Sequence, residues 1–211
     1  MTILQEIFDS LIQGQAPRVK ELTEQALEEG AGVGQVLNQG LIAAMAVVGE
    51  RFERREIFLP DVLLAARAMY AGLDILEPLL AGSDIKPVGR IILGTVQGDI
   101  HDIGKNLVGI MMRGAGFEVI DLGVDVSPQK FVETAAQGIS LIGMSALVGA
   151  TMPSMQRTIE ALEEAGLRDR VKTMVGGAIV TQAFADRIGA DGYAPDAASA
   201  AHKAKELLGM G

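Results

Sequence analysis

Close to residue 87 the spacing of apolar residues changes period, and that change limits the chain to a helical part followed by alternating strands and helices. Before it, Ile3, Ile7, Leu11 and Ile12 recur at helical spacing, and Pro17 opens a second helix through Val19, Leu22, Ala26 and Leu27. Residues 30–34, rich in glycine, break the pattern. A third helix is predicted over 36–52, with Leu37, Leu41, Ala44, Met45 and Val48 on one face, and a fourth over 60–80. Short connections between four helices predict an antiparallel bundle. Residues 81–89 carry linker composition, with Gly, Ser and Pro where the period changes.

After the linker, short runs of Ile, Val and Leu predict strands over 90–96, 118–122, 141–145, 172–175 and 192–194. Helices are predicted in the gaps, over 102–114, 128–137, 152–165, 181–188 and 197–208. Five such units specify a doubly wound, flavodoxin-like (Rossmann-like) five-stranded parallel sheet. The expected strand order 2-1-3-4-5 puts the switch point between the first and third strands. The expectation is therefore an α/β fold in two domains, a four-helix bundle over 1–86 and the parallel sheet domain over 87–211.

Within the second domain the stretch Gly94-Thr-Val-Gln-Gly-Asp-Ile-His-Asp-Ile-Gly-Lys-Asn places His101, one of only two histidines, in a glycine loop between the first strand and its helix. That is the strand edge at which open α/β sheets bind ligands. Asp99 is positioned to take the proton of one ring nitrogen and leave the other as a metal ligand. Asp102 can cap the helix that follows. Ser145 ends the third strand, so it and His101 converge on one crevice. His202, among alanines and lysines of the last helix, reads as a solvated residue.

Charge and composition exclude other classes. A net charge of -9 without a dense Lys/Arg cluster argues against nucleic acid, and Arg51, Arg54 and Arg55 alternate with glutamates. No apolar run reaches the roughly 18 residues of a membrane span. The N-terminal residues lack the pattern of a secretory signal, so a cytoplasmic protein is expected. Zero cysteines remove disulfides and thiolate metal sites.

The form Asp99-x-His101-x-x-Gly104 resembles the corrinoid-binding signature of cobalamin-dependent methyltransferases. Ser145-Ala-Leu147 and Gly176-Gly177 follow in the order of that family's pattern. Upstream, Val48-Gly-Glu-Arg-Phe52 and Phe58-Leu-Pro-Asp-Val62 are similar to the helical cap of methionine synthase and of small corrinoid proteins. The resemblance spans nearly the whole chain and implies a cobalamin cofactor with His101 as lower ligand to cobalt, in place of the cofactor's own dimethylbenzimidazole.

It implies further that Gly98, Asp99, Ile100, Asp102, Ile103, Gly104, Ser145, Leu147, Gly149, Thr151, Gly176, Gly177 and Ala197 line the cofactor site. Asp99 and Thr151 would extend the proton relay of His101, making His101, Asp99 and Thr151 the chemically active set. Gly149 stands where the family usually has threonine, and Asn38 where the related cap has an acidic residue. Phe52, Leu59 and Val62 match apolar positions that shield the methyl face. The function implied is a methyl carrier between a substrate-specific methyltransferase and a second methyltransferase whose acceptor is tetrahydrofolate or a thiol. A reductive activator is a further implied partner, and the chain would not be a complete enzyme alone. The alternatives are a cobalamin-dependent sensor or light receptor, which usually adds a DNA-binding module, and the small subunit of an adenosylcobalamin mutase. A nucleotide-binding flavodoxin-like protein would need a phosphate loop that does not follow the first strand.

Overall fold

The computed structural model describes residues 2–80 and 86–210, so residues 81–85 of the expected linker lie outside the described residues. The chain divides into two compact units, Met1–Pro87 with Gly114–Gly116, and Val88–Arg113 with Phe117–Gly211. No described helix is long and apolar enough to cross a membrane.

In the first unit, α1 (Ile3–Ile12) starts at Thr2, whose hydroxyl accepts from the Gln5 N–H. Helix α2 (Ala16–Glu28) carries Pro17 in its first turn, where the missing N–H costs nothing. A short α3 (Val33–Gln35) leads through a π-helical run, Val36–Ile42, into α4 (Ala43–Glu53), and α5 (Leu59–Leu80) completes the unit. The π-helical run was not predicted. Its wider turn lets the Ala43 N–H reach the Asn38 carbonyl, five residues back, and an apolar pattern barely registers one extra residue per turn. Ile7, Leu11, Leu22, Leu41, Val48, Met69 and Leu76 form a buried apolar interior. Small residues make this packing close: a Cβ on Gly72 would lie 2.9 Å from the Leu41 methyls.

The second unit alternates β1 (Arg90–Thr95), α6 (Ile103–Gly114), β2 (Glu118–Asp121), α7 (Pro128–Ala135), β3 (Leu141–Ser145), α8 (Pro153–Glu164), β4 (Lys172–Gly176), α9 (Gln182–Arg187), β5 (Gly192–Ala194) and α10 (Ala197–Leu207). All pairings are parallel, in the order β2-β1-β3-β4-β5 expected from the sequence. Central strands are covered on both faces, which explains why β1 and β3 read as nearly continuous apolar runs.

Side chains alternate across the sheet. Ile92, Ile142 and Val175 point into a core with Phe131 of α7, Met155 and Ile159 of α8 and Phe184 of α9. Leu93 faces the other way, toward α6. Two glycines inside strands make room for these side chains. A Cβ on Gly94 would lie 2.6 Å from the Phe131 ring, and one on Gly143 would lie 2.5 Å from Leu93.

Helix α6 is tied to the edge strand by charge. Lys105, 4% exposed, reaches Asp121 Oδ2 at 2.5 Å and Asn106 Oδ1 at 2.7 Å, while Asp121 Oδ1 accepts from the Gly123 N–H. The cap expected at the start of α6 takes another form. Asp102 Oδ2 accepts from the Asn106 side-chain amide at 3.1 Å, because the side chains sit one turn apart on the helix face.

Candidate functional site

Register fixes the floor of the site. Thr95, Ser145, Gly176 and Ala194 pair in one row across β1, β3, β4 and β5, so the loops that follow these strands leave from one edge. The first of these loops turns at Gly98 (φ +89), which needs glycine, and carries Asp99 and His101.

Asp99 is 1% exposed and accepts at both carboxylate oxygens. Oδ1 takes the His101 N–H at 3.1 Å and pairs with His101 Nδ1 at 2.7 Å. Oδ2 takes the Leu147 N–H at 2.7 Å, the Val148 N–H at 3.2 Å and the Thr151 hydroxyl at 2.9 Å. One carboxylate thus joins the loop after β1 to the loop after β3. Burial by itself would raise the Asp99 pKa; hydrogen bonds from the Leu147 N–H, the His101 ring and N–H, and the Thr151 hydroxyl outweigh it and hold the acid well below the usual carboxylate range.

An ionised Asp99 is acceptor-only, so a neutral His101 keeps its ring proton on Nδ1 and its lone pair on Nε2. The His101 side chain is 51% exposed. Its backbone is held as well, because the Thr95 hydroxyl donates to the His101 carbonyl at 2.8 Å. The ring is fixed on one side and open on the other. The Thr151 hydroxyl has one proton and two acceptors in reach, Asp99 Oδ2 and the Val148 carbonyl at 2.7 Å.

Around His101 the surface is apolar where a surface is normally polar. Ile100 is 74% and Ile103 76% exposed, and Leu147, Val148, Ile179 and Val124 are each more than a third exposed on loops of the same strand edge. Clustered exposed aliphatics of this kind mark a ligand or partner surface.

The glycines split into two kinds. A Cβ on Gly177 (φ +130) would fall 1.9 Å from the Ala146 carbonyl oxygen, so the chain's own backbone demands glycine there, and one on Gly176 would lie tight, 3.0 Å from the Ala194 carbonyl oxygen. At Gly104 and Gly149 a Cβ would meet nothing within 4 Å. Ser145 is partly buried at the end of β3, and Ala197 is buried at the start of α10, just after the Asp196 cap.

In the helical unit Phe52 is half-buried near the end of α4, Leu59 is 37% exposed in the first turn of α5, and Val62 is wholly buried. Phe58 beside them is 68% exposed. Asn38 bonds back to its own helix, donating to the Gly34 carbonyl at 2.9 Å.

Sequence reasoning pointed to Asp99, His101 and Thr151 as a connected set, and the structure brings these three together. It missed the Leu147 and Val148 N–H donors to Asp99, the exposed Val124, Val148 and Ile179, and Ser154, whose hydroxyl donates to the Gln97 carbonyl at 3.2 Å. Backbone donors have no residue-type signature. Ser154 offered only its place at the start of α8 as a signal.

The donor set can be tested against a cobalt corrinoid. Among the described residues no group of three or more His, Asp or Glu side chains could hold a bare metal ion. A single imidazole suits a metal that brings its own equatorial ligands. A broad apolar rim suits a flat macrocycle, and the tight glycine turns leave the strand edge open. The residues fit the group.

Comparison with known proteins gives the same direction. Two family profiles, both described as B12 binding domain, match residues 89–202 and 3–77. Dimethylamine corrinoid protein 2 of Methanosarcina acetivorans is 48% identical over 208 residues, covering 98% of this chain and 96% of that protein. The structure of the methanol:cobalamin methyltransferase complex of Methanosarcina barkeri superimposes with a TM-score of 0.89 at 28% identity, over 98% of this chain and 80% of that one. A cobalamin-binding protein from Desulfitobacterium hafniense gives a TM-score of 0.79 at 28% identity, over 97% and 98% of the two chains.

Proposed function

Because the chain belongs to the family of corrinoid proteins built on B12 binding domains, we propose that it carries a methyl group on cobalt from a substrate-specific methyltransferase to a second methyltransferase. The observation that carries this reading is the geometry of His101: Nδ1 held 2.7 Å from a buried, ionised Asp99, and Nε2 open at an apolar rim. Bound cobalamin would supply a cobalt that can take up and give up a methyl group.

The chain's residues have separable tasks in this reading. His101 would hold the cobalt through its Nε2 lone pair. Asp99 fixes the tautomer and raises the donor strength of the ring, and Thr151 steadies Asp99. Ile100, Ile103, Leu147 and Val148 would exclude water around the ring, Gly176 and Gly177 would leave room for the nucleotide tail, and Ser145 would bond its base. By the resemblance, Phe52 and Leu59 would shield the methyl group, with Val62 buried in support. A reductive activator would be a further partner of such a carrier. The acceptor of the second methyltransferase would be tetrahydrofolate or a thiol. Substrate choice lies with the first methyltransferase, and the relative's name makes a methylated amine the first donor to test.

The experiment loads the protein with cobalamin, reduces it to cobalt(I), and adds donors with or without the cognate methyltransferase. The expected result is conversion to the methylcobalamin spectrum only when donor and methyltransferase are both present. Preferential binding of adenosylcobalamin, with an oligomeric state that changes on illumination, would replace this reading by the light receptor.

A further inference from the structure

Asp125 makes no hydrogen bond to the Asp99 carboxylate or the His101 ring, yet its backbone stands in the left-handed region at φ +53, uncommon outside glycine though open to aspartate and asparagine. Two hydrogen bonds account for it. Asp125 Oδ1 accepts from the Gly98 N–H at 2.7 Å, and the Asp125 N–H donates to the Asp99 carbonyl at 2.9 Å. The left-handed turn lets one residue present its side chain and its own N–H to the same stretch of chain. The flanks of Asp125 are anchored too, since the Val126 N–H donates to the Thr95 carbonyl at 2.9 Å and the Thr95 N–H donates to Gly123 at 3.0 Å.

We propose that Asp125 is a positioning residue for His101: from the loop after β2 it clamps the Gly98 and Asp99 backbone, and so sets where the Asp99 carboxylate and the imidazole stand. The assignment rests on the reading of His101 as lower ligand. Asp99 is already held through its side chain by Leu147, Val148 and Thr151. Asp125 holds its main chain from the other side. The His101 loop therefore lies between two neighbouring loops, and loss of either support lets the ring drift. A ring that drifts binds metal less well, and supports of this kind typically carry 10- to 100-fold in affinity.

The test compares D125N and D125G with the wild type. Asparagine tolerates the left-handed turn and keeps an oxygen for the Gly98 N–H, whereas glycine keeps the turn at no steric cost and loses the acceptor. Unfolding midpoints should therefore stay close in all three. In the apoprotein, hydrogen exchange at the Gly98 amide should rise about 10-fold in D125G and stay near wild type in D125N. In the loaded protein, D125G should bind cobalamin about 10-fold more weakly with a reduced histidine-ligated fraction, and D125N should restore both. Equal Gly98 exchange in D125G and wild type overturns the assignment, and so does a D125N that behaves like D125G. A wild type with no histidine on cobalt would instead overturn the proposed function, while the apoprotein exchange still decides whether Asp125 holds the loop.

Discussion

Asp99 divides its two oxygens between two loops, and that division predicts what an amide in its place would do. Asparagine has one acceptor oxygen, so its NH2 must face either the His101 side or the Leu147, Val148 and Thr151 donors. Facing His101, it forces the ring proton onto Nε2 and removes the metal lone pair. Asp99→Asn should therefore weaken cobalamin binding about 10- to 100-fold, measured by titration of the apoprotein. Thr151→Val should cost less than Asp99→Asn, because the Leu147 and Val148 N–H groups still hold Oδ2. The acid also sets a pH dependence. Its folded pKa lies below the ordinary 3.8, so its stabilisation is present above that value and is lost as pH falls toward the folded pKa. The stability gap between wild type and Asp99→Asn should be constant above about pH 5 and close progressively below pH 4. A gap that persists unchanged to pH 2 would contradict the assignment. Side chains in a motif were legible in the sequence, as Asp99, His101 and Thr151 show. The Leu147 and Val148 amides and the left-handed Asp125 were not, because they depend on how closely two loops approach.

At the scale of elements, the site depends on where strands end and how near their backbones come. The Gly177 turn is the tightest point: an added Cβ would sit 1.9 Å from the Ala146 carbonyl oxygen at a φ of +130. Gly177→Ala should cost about 3 kcal/mol or more and shift the denaturant midpoint accordingly; a loss below about 1 kcal/mol would mean that the turn has room it does not show. The tie between α6 and β2 makes a different prediction. Lys105→Met keeps an unbranched apolar stem in a buried place, whereas Asp121→Ala leaves the buried ammonium with only Asn106. Chemical denaturation should show Asp121→Ala to be the more destabilising change, and the reverse order would contradict the tie by charge. Helices were readable from their period and central strands from short runs of Ile, Val and Leu between them, since central strands must be apolar on both faces and helices on one. The π-helical run Val36–Ile42 was not, because Gly40 and its neighbours carry the same apolar pattern in either winding.

For the whole molecule, the two units carry separate cores, Ile7, Leu22, Leu41 and Leu76 in one and Ile92, Phe131, Ile142 and Met155 in the other. A chain starting at Val88 should therefore fold and retain cobalamin binding, while methylcobalamin bound to it should photolyse faster than in the full chain. Equal photolysis rates would contradict the shielding role given to Phe52 and Leu59. The alternation of helix and strand periods made the two-part architecture legible, and the order 2-1-3-4-5 is the one expected of a doubly wound, flavodoxin-like sheet of five strands. The central claim is that His101 takes the lower position on cobalt, and the chain's two histidines allow a direct test. In a His202→Gln background, histidine labelled with nitrogen-15 resides at His101 alone. Electron paramagnetic resonance of the cobalt(II) form should then show the nitrogen splitting change from a triplet with natural histidine to a doublet with the label. A triplet that persists with labelled histidine would place the cofactor's own base on cobalt and contradict the account.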